Sequence, residues 1–293
     1  IIGEGYHKKY GELHAETSAL NSCTKSPEGA TIYVTLEPCC HHGKQPPCTE
    51  AIIKAGIKRV VIGSLDPNPL VSGKGMQMPY VIVKYAQTLD GKIATHNGLS
   101  KWITGEAARE NVHVDRHRYS AIMVGINTVL KDDPMLNCRS KAIENPHQPV
   151  RIVCDTKLRI PYDSKLVKTA GQIPVWIVTC CHDKERISMY ENAGCEIIAM
   201  EGEKIDIAQL MIILGRRGID SCICEGGAEL NWSVINSGMV KRIQAYIAPK
   251  IFGGVDAPVS VAGTGFDAPD DALKLKDYTV TRLGDDILIE GEV

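Results

Sequence analysis

The chain carries no excess of basic charge: 33 Lys and Arg stand against 35 Asp and Glu, for a net charge of -2. Such a balance does not attract a polyanion, so nucleic acid is not an expected partner. No apolar run approaches the length needed to span a bilayer, and the opening residues Ile1 to Gly5 show neither a basic n-region nor a small-residue cleavage motif. The cytoplasm is therefore the expected compartment, and a membrane is not an expected partner. Tandem repeats and low-complexity tracts are absent. So is any Gly-x-Gly-x-x-Gly fingerprint, which argues against an ordinary Rossmann domain. A disulfide framework is also unexpected, because the 11 cysteines are odd in number and irregularly spaced, and Cys154, Cys180, Cys222 and Cys224 fall in strand-like runs. What the chain does have is 44% hydrophobic and 23% charged residues over 293 positions, enough for two domains with buried cores.

Two short segments near the start concentrate the chemistry. His14-Ala15-Glu16 supplies an imidazole and a carboxylate, and Pro38-Cys39-Cys40-His41-His42-Gly43-Lys44-Gln45-Pro46-Pro47-Cys48 supplies two spaced thiols. Zinc takes imidazole and thiolate donors in a tetrahedron, and a catalytic site leaves one corner to water. His14, Cys39 and Cys48 fill three corners. Glu16 is then free to take a proton from the activated water and return it to a leaving group, the arrangement of hydrolytic deamination. Residues two apart in mid-helix point to nearly opposite sides, so the helix must begin near His14. Glu12 to Leu20 stops at Asn21-Ser22 and Thr49 to Ala55 stops at Gly56, so each ligand segment enters a short helix. Cys39 and Cys48 then lie near helix N-termini, where amides and the helix dipole favour thiolate.

Any single His or Cys is more often an ordinary packed residue, and the joint pattern carries the weight here. A structural zinc site would need a fourth protein ligand, for which Cys40, His41 and His42 are the neighbours, and it would leave Glu16 without a role.

The remainder alternates. In the first part the order is strand-like Thr31 to Leu36, helix-like Thr49 to Ala55 and strand-like Arg59 to Gly63. Beyond Pro79, strands are expected at Tyr80 to Ala86, Ala121 to Gly125, Val150 to Asp155, Val175 to Cys180, Cys195 to Met200, Ser221 to Cys224 and Arg242 to Ala248. Helices are expected at Gly105 to His117, Lys184 to Ala193, Ile207 to Arg217 and Ala228 to Ser237. This is the pattern of a mostly parallel sheet covered by helices. Tyr278 to Leu283 and Ile287 to Val293 read as a closing antiparallel hairpin around Gly284-Asp285-Asp286.

Glu225-Gly226-Gly227-Ala228-Glu229-Leu230 lies between a strand and a helix, where glycines let amides approach a diphosphate and the helix N-terminus favours its charge. Two glycines after a strand are more commonly just a tight turn. Lys84 interrupts an apolar strand and is expected to face a pocket at the edge of the sheet. Thr88-Leu89-Asp90-Gly91-Lys92-Ile93-Ala94 reads as a turn, and Asp132-Asp133-Pro134 as a loop or cap.

The eight residues between Cys39 and Cys48, together with Thr35-Leu36-Glu37-Pro38-Cys39, Pro46-Pro47-Cys48-Thr49 and Asp66-Pro67-Asn68-Pro69, resemble a known family. It is that of the bifunctional diaminohydroxyphosphoribosylaminopyrimidine deaminase and 5-amino-6-(5-phosphoribosylamino)uracil reductase of riboflavin biosynthesis, and the likeness extends over nearly the whole chain. The resemblance implies an α/β protein with an N-terminal cytidine-deaminase-like three-layer domain, residues 1–77, and a C-terminal dihydrofolate-reductase-like domain, residues 78–293. Against that family the first domain looks short, and segments are expected to be missing before Ile1 and near Met76 to Pro79. The implied cofactors are Zn2+ and NADPH. The implied substrate is a small phosphoribosylaminopyrimidine, deaminated first and then reduced at the ribosyl carbon to give a ribityl chain. A homo-oligomer is also expected.

Carried over residue by residue, the resemblance implies cofactor contacts at Ala86, Trp102, Thr128, Asp132, Thr156 and the run Gly227, Ala228, Glu229, Leu230, Asn231, Trp232 and Ser233. Substrate contacts in the reductase are implied at Ser100, Arg116, Leu136, Arg139, Glu225 and Lys84, with Arg116 and Arg139 able to fork onto phosphate oxygens. His7, His41 and Lys44 are implied to grip substrate in the deaminase. By residue type alone, Arg116 in the crowded Asp115-Arg116-His117-Arg118 reads as a solvated helix face. Two rival readings are a deaminase whose second domain binds a nucleotide without reducing anything, and a zinc module that is structural or RNA-binding.

Overall fold

The computed structural model describes residues 1–7, 9, 11–39, 46–64 and 78–293. The chain divides into two compact units: Ile1–Met78 with Ile212–Gly218, and Pro79–Met211 with Ile219–Val293.

In the first unit, helix α1 (Ala15–Asn21) precedes strand β1 (Thr31–Leu36), helix α2 (Cys48–Lys54) and strand β2 (Arg59–Ser64). The β-branched and apolar run Thr31-Ile32-Tyr33-Val34 favours strand. It pairs in parallel with β2, Thr31 opposite Arg59 and Leu36 opposite Ser64. A parallel pair needs a crossover, and α2 supplies it. The α1 helix begins where the ligand spacing requires: His14 is its N-cap in extended conformation, and Glu16 lies in its first turn.

The second unit is built on a nine-stranded sheet. Its strands are β3 (Tyr80–Thr88), β4 (Ala121–Gly125), β5 (Val150–Cys154), β6 (Val175–Thr179), β7 (Glu196–Ala199), β8 (Ser221–Cys224), β9 (Val240–Ala248), β10 (Lys276–Leu283) and β11 (Asp286–Glu292). They lie in the order β10-β11-β9-β3-β8-β4-β5-β6-β7. The pairs from β9 through β7 are parallel, and β10, β11 and β9 meet antiparallel. Strands β4, β5, β6 and β8 are buried along most of their length. That explains their unbroken apolar runs, since a parallel strand covered on both faces has no polar side to alternate with. The helices are α3 (Glu106–Arg118), α4 (Ile126–Asp132), α5 (Lys165–Lys168), α6 (Lys184–Asn192), α7 (Ile207–Arg216) and α8 (Ala228–Asn236). Ile82, Ile122, Val124, Val153, Ile177 and Ile223 form the heart of one core cluster; Ala108 and Val112 of α3 meet Tyr246 and Leu288 in another.

Two short helices, α4 and α5, have no counterpart among the expected elements: at seven and four residues they are too brief to show a period. Lys84 also differs from expectation. Strand β3 is not at an edge but between β8 and β9, and its charge is met inside the protein rather than by solvent. No helix among the described residues is long and apolar enough to cross a membrane. The ten described cysteines are all free.

Candidate functional site

In the first unit, folding brings His14, Cys39 and Cys48 together, with their donor atoms within 4.8 Å of one another. His14 Nδ1 lies 3.4 Å from Cys39 Sγ and 3.3 Å from Cys48 Sγ. A tetrahedral cation with metal–sulfur and metal–nitrogen bonds of about 2.3 and 2.0 Å requires a sulfur–nitrogen edge of about 3.5 Å. The donor set therefore fits a zinc ion both in chemistry and in spacing. Two helix starts create this geometry. His14 caps α1, and Cys48 opens α2 behind Pro47, with its amide donating to Cys39 Sγ at 3.3 Å. Thr49 donates its own amide to the Cys39 carbonyl at 3.2 Å.

The Cys48 thiol and amide, with His14, draw Cys39 down to about 5 against the effect of burial. The bond it gives to Cys39, burial and the Glu16 carboxylate push Cys48 the other way. A bound cation would favour both as thiolates. Glu16 is buried in the first turn of α1. His7 lies with its ring edge-on to His14, centroids 5.3 Å apart, and its Nδ1 is 3.2 Å from the Leu13 carbonyl. His41 and Lys44, like Cys40 and His42, lie outside the described residues, as do Met76 and Gln77 of the expected break.

In the second unit, three of the sequence-expected positions, Lys84, Arg116 and Glu225, are in contact. Glu225 follows β8 directly and accepts both arms of the Arg116 fork, Nε to Oε1 and Nη2 to Oε2, each at 2.8 Å. Lys84 Nζ stands 3.5 Å from Glu225 Oε2 and 5.5 Å from the centre of the Tyr246 ring. Burial would raise the Glu225 carboxyl, but Arg116 and Lys84 outweigh it and bring it down to about 2. Burial depresses Lys84, partly offset by Glu225. The Arg116 fork is thus engaged by a protein carboxylate. A carboxylate buried at Glu225 needs a partner, and Arg116 is that partner, with Nη1 spent on the Asn137 carbonyl at 3.1 Å. Arg139 is exposed, its guanidinium on the Asn137 side chain, and Leu136 is buried at φ 50°.

The glycine turn lies where expected, with Gly226 at φ 100° and Gly227 as the N-cap of α8. Beside it, Gly125 is the N-cap of α4 and donates its amide to the Gly226 carbonyl at 2.8 Å. Neither helix has a side-chain cap. A Cβ on Gly227 would come 3.5 Å from Thr128 Oγ1, so Thr128 borders the turn. Two adjacent helix N-termini with uncapped amides suit a diphosphate. Ser100 Oγ donates to Asp132 Oδ1 at 3.4 Å, and Trp102 is exposed with the Arg109 guanidinium 4.5 Å over its ring. Asn231 is buried and donates to the Ser260 carbonyl at 2.8 Å. Ala86 lies on β3, where it packs against the cluster beneath α3. Thr156 follows β5, and its carbonyl accepts the Cys180 amide.

Residues around this site that sequence reasoning passed over are Asp115 and Gln244, joined at 3.1 Å, Asn111 and Tyr246, joined at 2.7 Å, and His113. The available signal was helical spacing: Asn111 and Asp115 are four apart on α3, beside the apolar Ala108 and Val112.

Two family profiles divide the chain: residues 1–64 match the cytidine and deoxycytidylate deaminase zinc-binding region, and residues 79–289 match the RibD C-terminal domain. The riboflavin biosynthesis protein RibD of Actinobacillus pleuropneumoniae is 45% identical over 324 aligned positions, covering 99% of this chain and 85% of the relative. The chain belongs to the RibD family. Among solved RibD structures, the Acinetobacter baumannii protein is 31% identical with a TM-score of 0.65, covering all of this chain and 89% of its own. A diaminohydroxyphosphoribosylaminopyrimidine deaminase/5-amino-6-(5-phosphoribosylamino)uracil reductase from Thermotoga maritima is 33% identical with a TM-score of 0.63, covering all of this chain and 88% of its own. The α/β fold class stands, a cytidine-deaminase-like unit followed by a RibD C-terminal unit. The Actinobacillus alignment runs longer than the chain's 293 residues, so that relative carries segments with no counterpart here.

Proposed function

We propose that the His14, Cys39 and Cys48 cluster is a catalytic zinc site and that Glu16 carries protons in it. The chain is a bifunctional enzyme of riboflavin biosynthesis that deaminates 2,5-diamino-6-(5-phosphoribosylamino)pyrimidin-4-one and then reduces the ribosyl group to ribityl. The observation that carries the first half is the three-donor cluster at tetrahedral spacing beside one buried carboxylate. Zinc, when bound, supplies Lewis-acid activation of water. Glu16 receives the proton of that water and delivers it to the departing amine. His7, His41 and Lys44 grip the pyrimidine.

NADPH, when bound, supplies hydride. The run from Gly227 to Ser233 at the start of α8 and the α4 N-terminus would receive its diphosphate, with Ala86, Trp102, Thr128, Asp132 and Thr156 along the rest. Orientation, not a metal, is what the second step needs. Ser100, Leu136, Arg139, Glu225 and Lys84 position the sugar phosphate. Arg139 is the guanidinium that meets phosphate, and Arg116 holds Glu225. A binding-only second domain finds no support, because the RibD C-terminal profile spans residues 79–289.

The domain boundary falls at residue 77/78, and the alignment length supports segments in relatives that have no counterpart here. The enzyme works in the cytoplasm on a small molecule, without nucleic acid or membrane, in keeping with its net charge of -2. It forms homo-oligomers, a reading supported by the edge strand β10, which exposes Tyr278 and Val280.

The deciding experiment compares Glu16→Gln with the native chain. Ammonia release should fall by at least about a hundredfold, as loss of a positioned general acid–base group implies, while zinc content and NADPH oxidation with the deaminated pyrimidine persist. Retained ammonia release would refute the role of Glu16. Loss of both activities would argue against separate sites.

A further inference from the structure

After α4 the chain runs back along α3 before entering β5. Four α3 side chains on successive turns take hold of this segment in antiparallel order. Arg116 donates to the Asn137 carbonyl at 3.1 Å, and His113 Nδ1 accepts the Arg139 amide at 3.2 Å. Glu110 accepts the Ser140 hydroxyl and the amides of Lys141 and Ala142, the latter two at 3.0 and 3.4 Å. Glu106 meets Lys141 Nζ at 2.9 Å. The Cys138 thiol, in addition, donates to the His113 carbonyl at 3.0 Å. The stretch therefore has little freedom of its own, and Arg139 is exposed on it, as are Lys141 and Ala142.

We propose that His113 is a positioning residue of the reductase, which fixes the main chain at Arg139 and so aims its guanidinium at the substrate phosphate. The inference rests on the reading of Arg139 as the phosphate contact. To accept an amide, Nδ1 must be unprotonated, which places the ring proton on Nε2. The surroundings keep it that way: burial, then the Arg116 and Arg139 cations, hold the imidazole down to about 4, with Glu225 and Glu110 pulling in the opposite sense. The amide–imidazole bond is thus intact throughout the neutral range. A misaimed guanidinium loses bidentate contact with phosphate, which weakens substrate capture without touching hydride transfer.

The test uses the full chain with NADPH and 5-amino-6-(5-phosphoribosylamino)uracil. His113→Leu keeps the bulk and removes the acceptor; it should raise KM for the pyrimidine roughly tenfold, the size of one hydrogen bond's effect, with kcat and the KM for NADPH within about twofold of native. His113→Asn places an amide oxygen close to where Nδ1 stood, and should hold KM within about threefold of native. Adding His113→Leu to Arg139→Ala should raise KM no further than Arg139→Ala alone. Ammonia release, measured on the same preparations, should not change. If His113→Leu does not fold, His113→Ala takes its place with the same split expected.

An unchanged KM in the Leu or Ala variant, or equal loss in Leu and Asn, overturns the assignment of His113. If Arg139→Ala itself leaves KM unchanged, the phosphate reading of Arg139 fails and the role of His113 fails with it. If Arg139→Ala raises KM and His113→Leu does not, the reading of Arg139 stands and the inference alone is refuted.

Discussion

At the scale of single residues, the second unit stakes most on a buried charge cluster. Glu225 is fully engaged by Arg116 and approached by Lys84, and both side chains of the Arg116–Glu225 pair are largely shielded. Removing one partner of such a pair strands the other charge in a poorly solvated site. Arg116→Leu is expected to destabilise the second unit by about 3 kcal/mol, read as a lowered urea midpoint; a loss below about 1 kcal/mol would mean that Glu225 is solvated after all. The acid limb of stability follows from two groups. The His113 imidazole is depressed to about 4, so between pH 6.5 and 4 the unfolded chain binds a proton that the native chain refuses, and stability falls as pH falls through that window. Glu225, depressed to about 2, contributes stability that is present above its ordinary value and lost as pH drops from about 4.5 toward 2. His113→Asn should remove the upper portion of this limb, so that its stability falls less than that of the native chain between pH 7 and 4.5, and urea titrations at the two pH values measure it. Little of this was legible in the chain. Lys84 stood out in an apolar strand, but nothing local paired it or Arg116 with Glu225. Arg151, wholly buried on β5 with its guanidinium on the Met135 and Thr169 carbonyls and the Thr169 hydroxyl, gave no signal beyond being an odd residue in a strand.

At the scale of elements, the β8–α8 turn depends on glycine for a definite reason. Gly226 occupies φ 100°, which a Cβ-bearing residue reaches only with strain of about 1–3 kcal/mol. Gly226→Ala should displace the α8 N-terminus and raise the KM for NADPH by roughly tenfold, the equivalent of about 1.4 kcal/mol, with ammonia release unaffected. An unchanged KM for NADPH would remove this turn from the cofactor site. Element type was legible wherever a segment was long and apolar, as in β4 and β8, whose bounds match the expected ranges. It failed at α4, where seven residues between a strand and a left-handed Asp133 carry too little period to declare a helix. The central place of β3 was also hidden, since position in a sheet is set by which strands pair, not by the strand's own composition.

At the scale of the whole molecule, the two activities rest on different chemistry in different units. Dialysis of the full chain against a zinc chelator should abolish ammonia release, leave NADPH oxidation with the deaminated pyrimidine near its native rate, and be reversed by added zinc. Loss of both rates would mean that the second unit needs the metal too. The sequence by itself determined the candidate metal cluster, the helix start between His14 and Glu16, and the alternation of strands and helices. Each is local, written in spacing and periodicity over a few turns of chain. Only the tertiary structure decided that Arg116 spends its fork on Glu225, that Lys84 meets the same carboxylate, and that α3 grips the segment carrying Arg139. These contacts join residues far apart in the chain, and a charge finds its partner only after packing has removed water from around both.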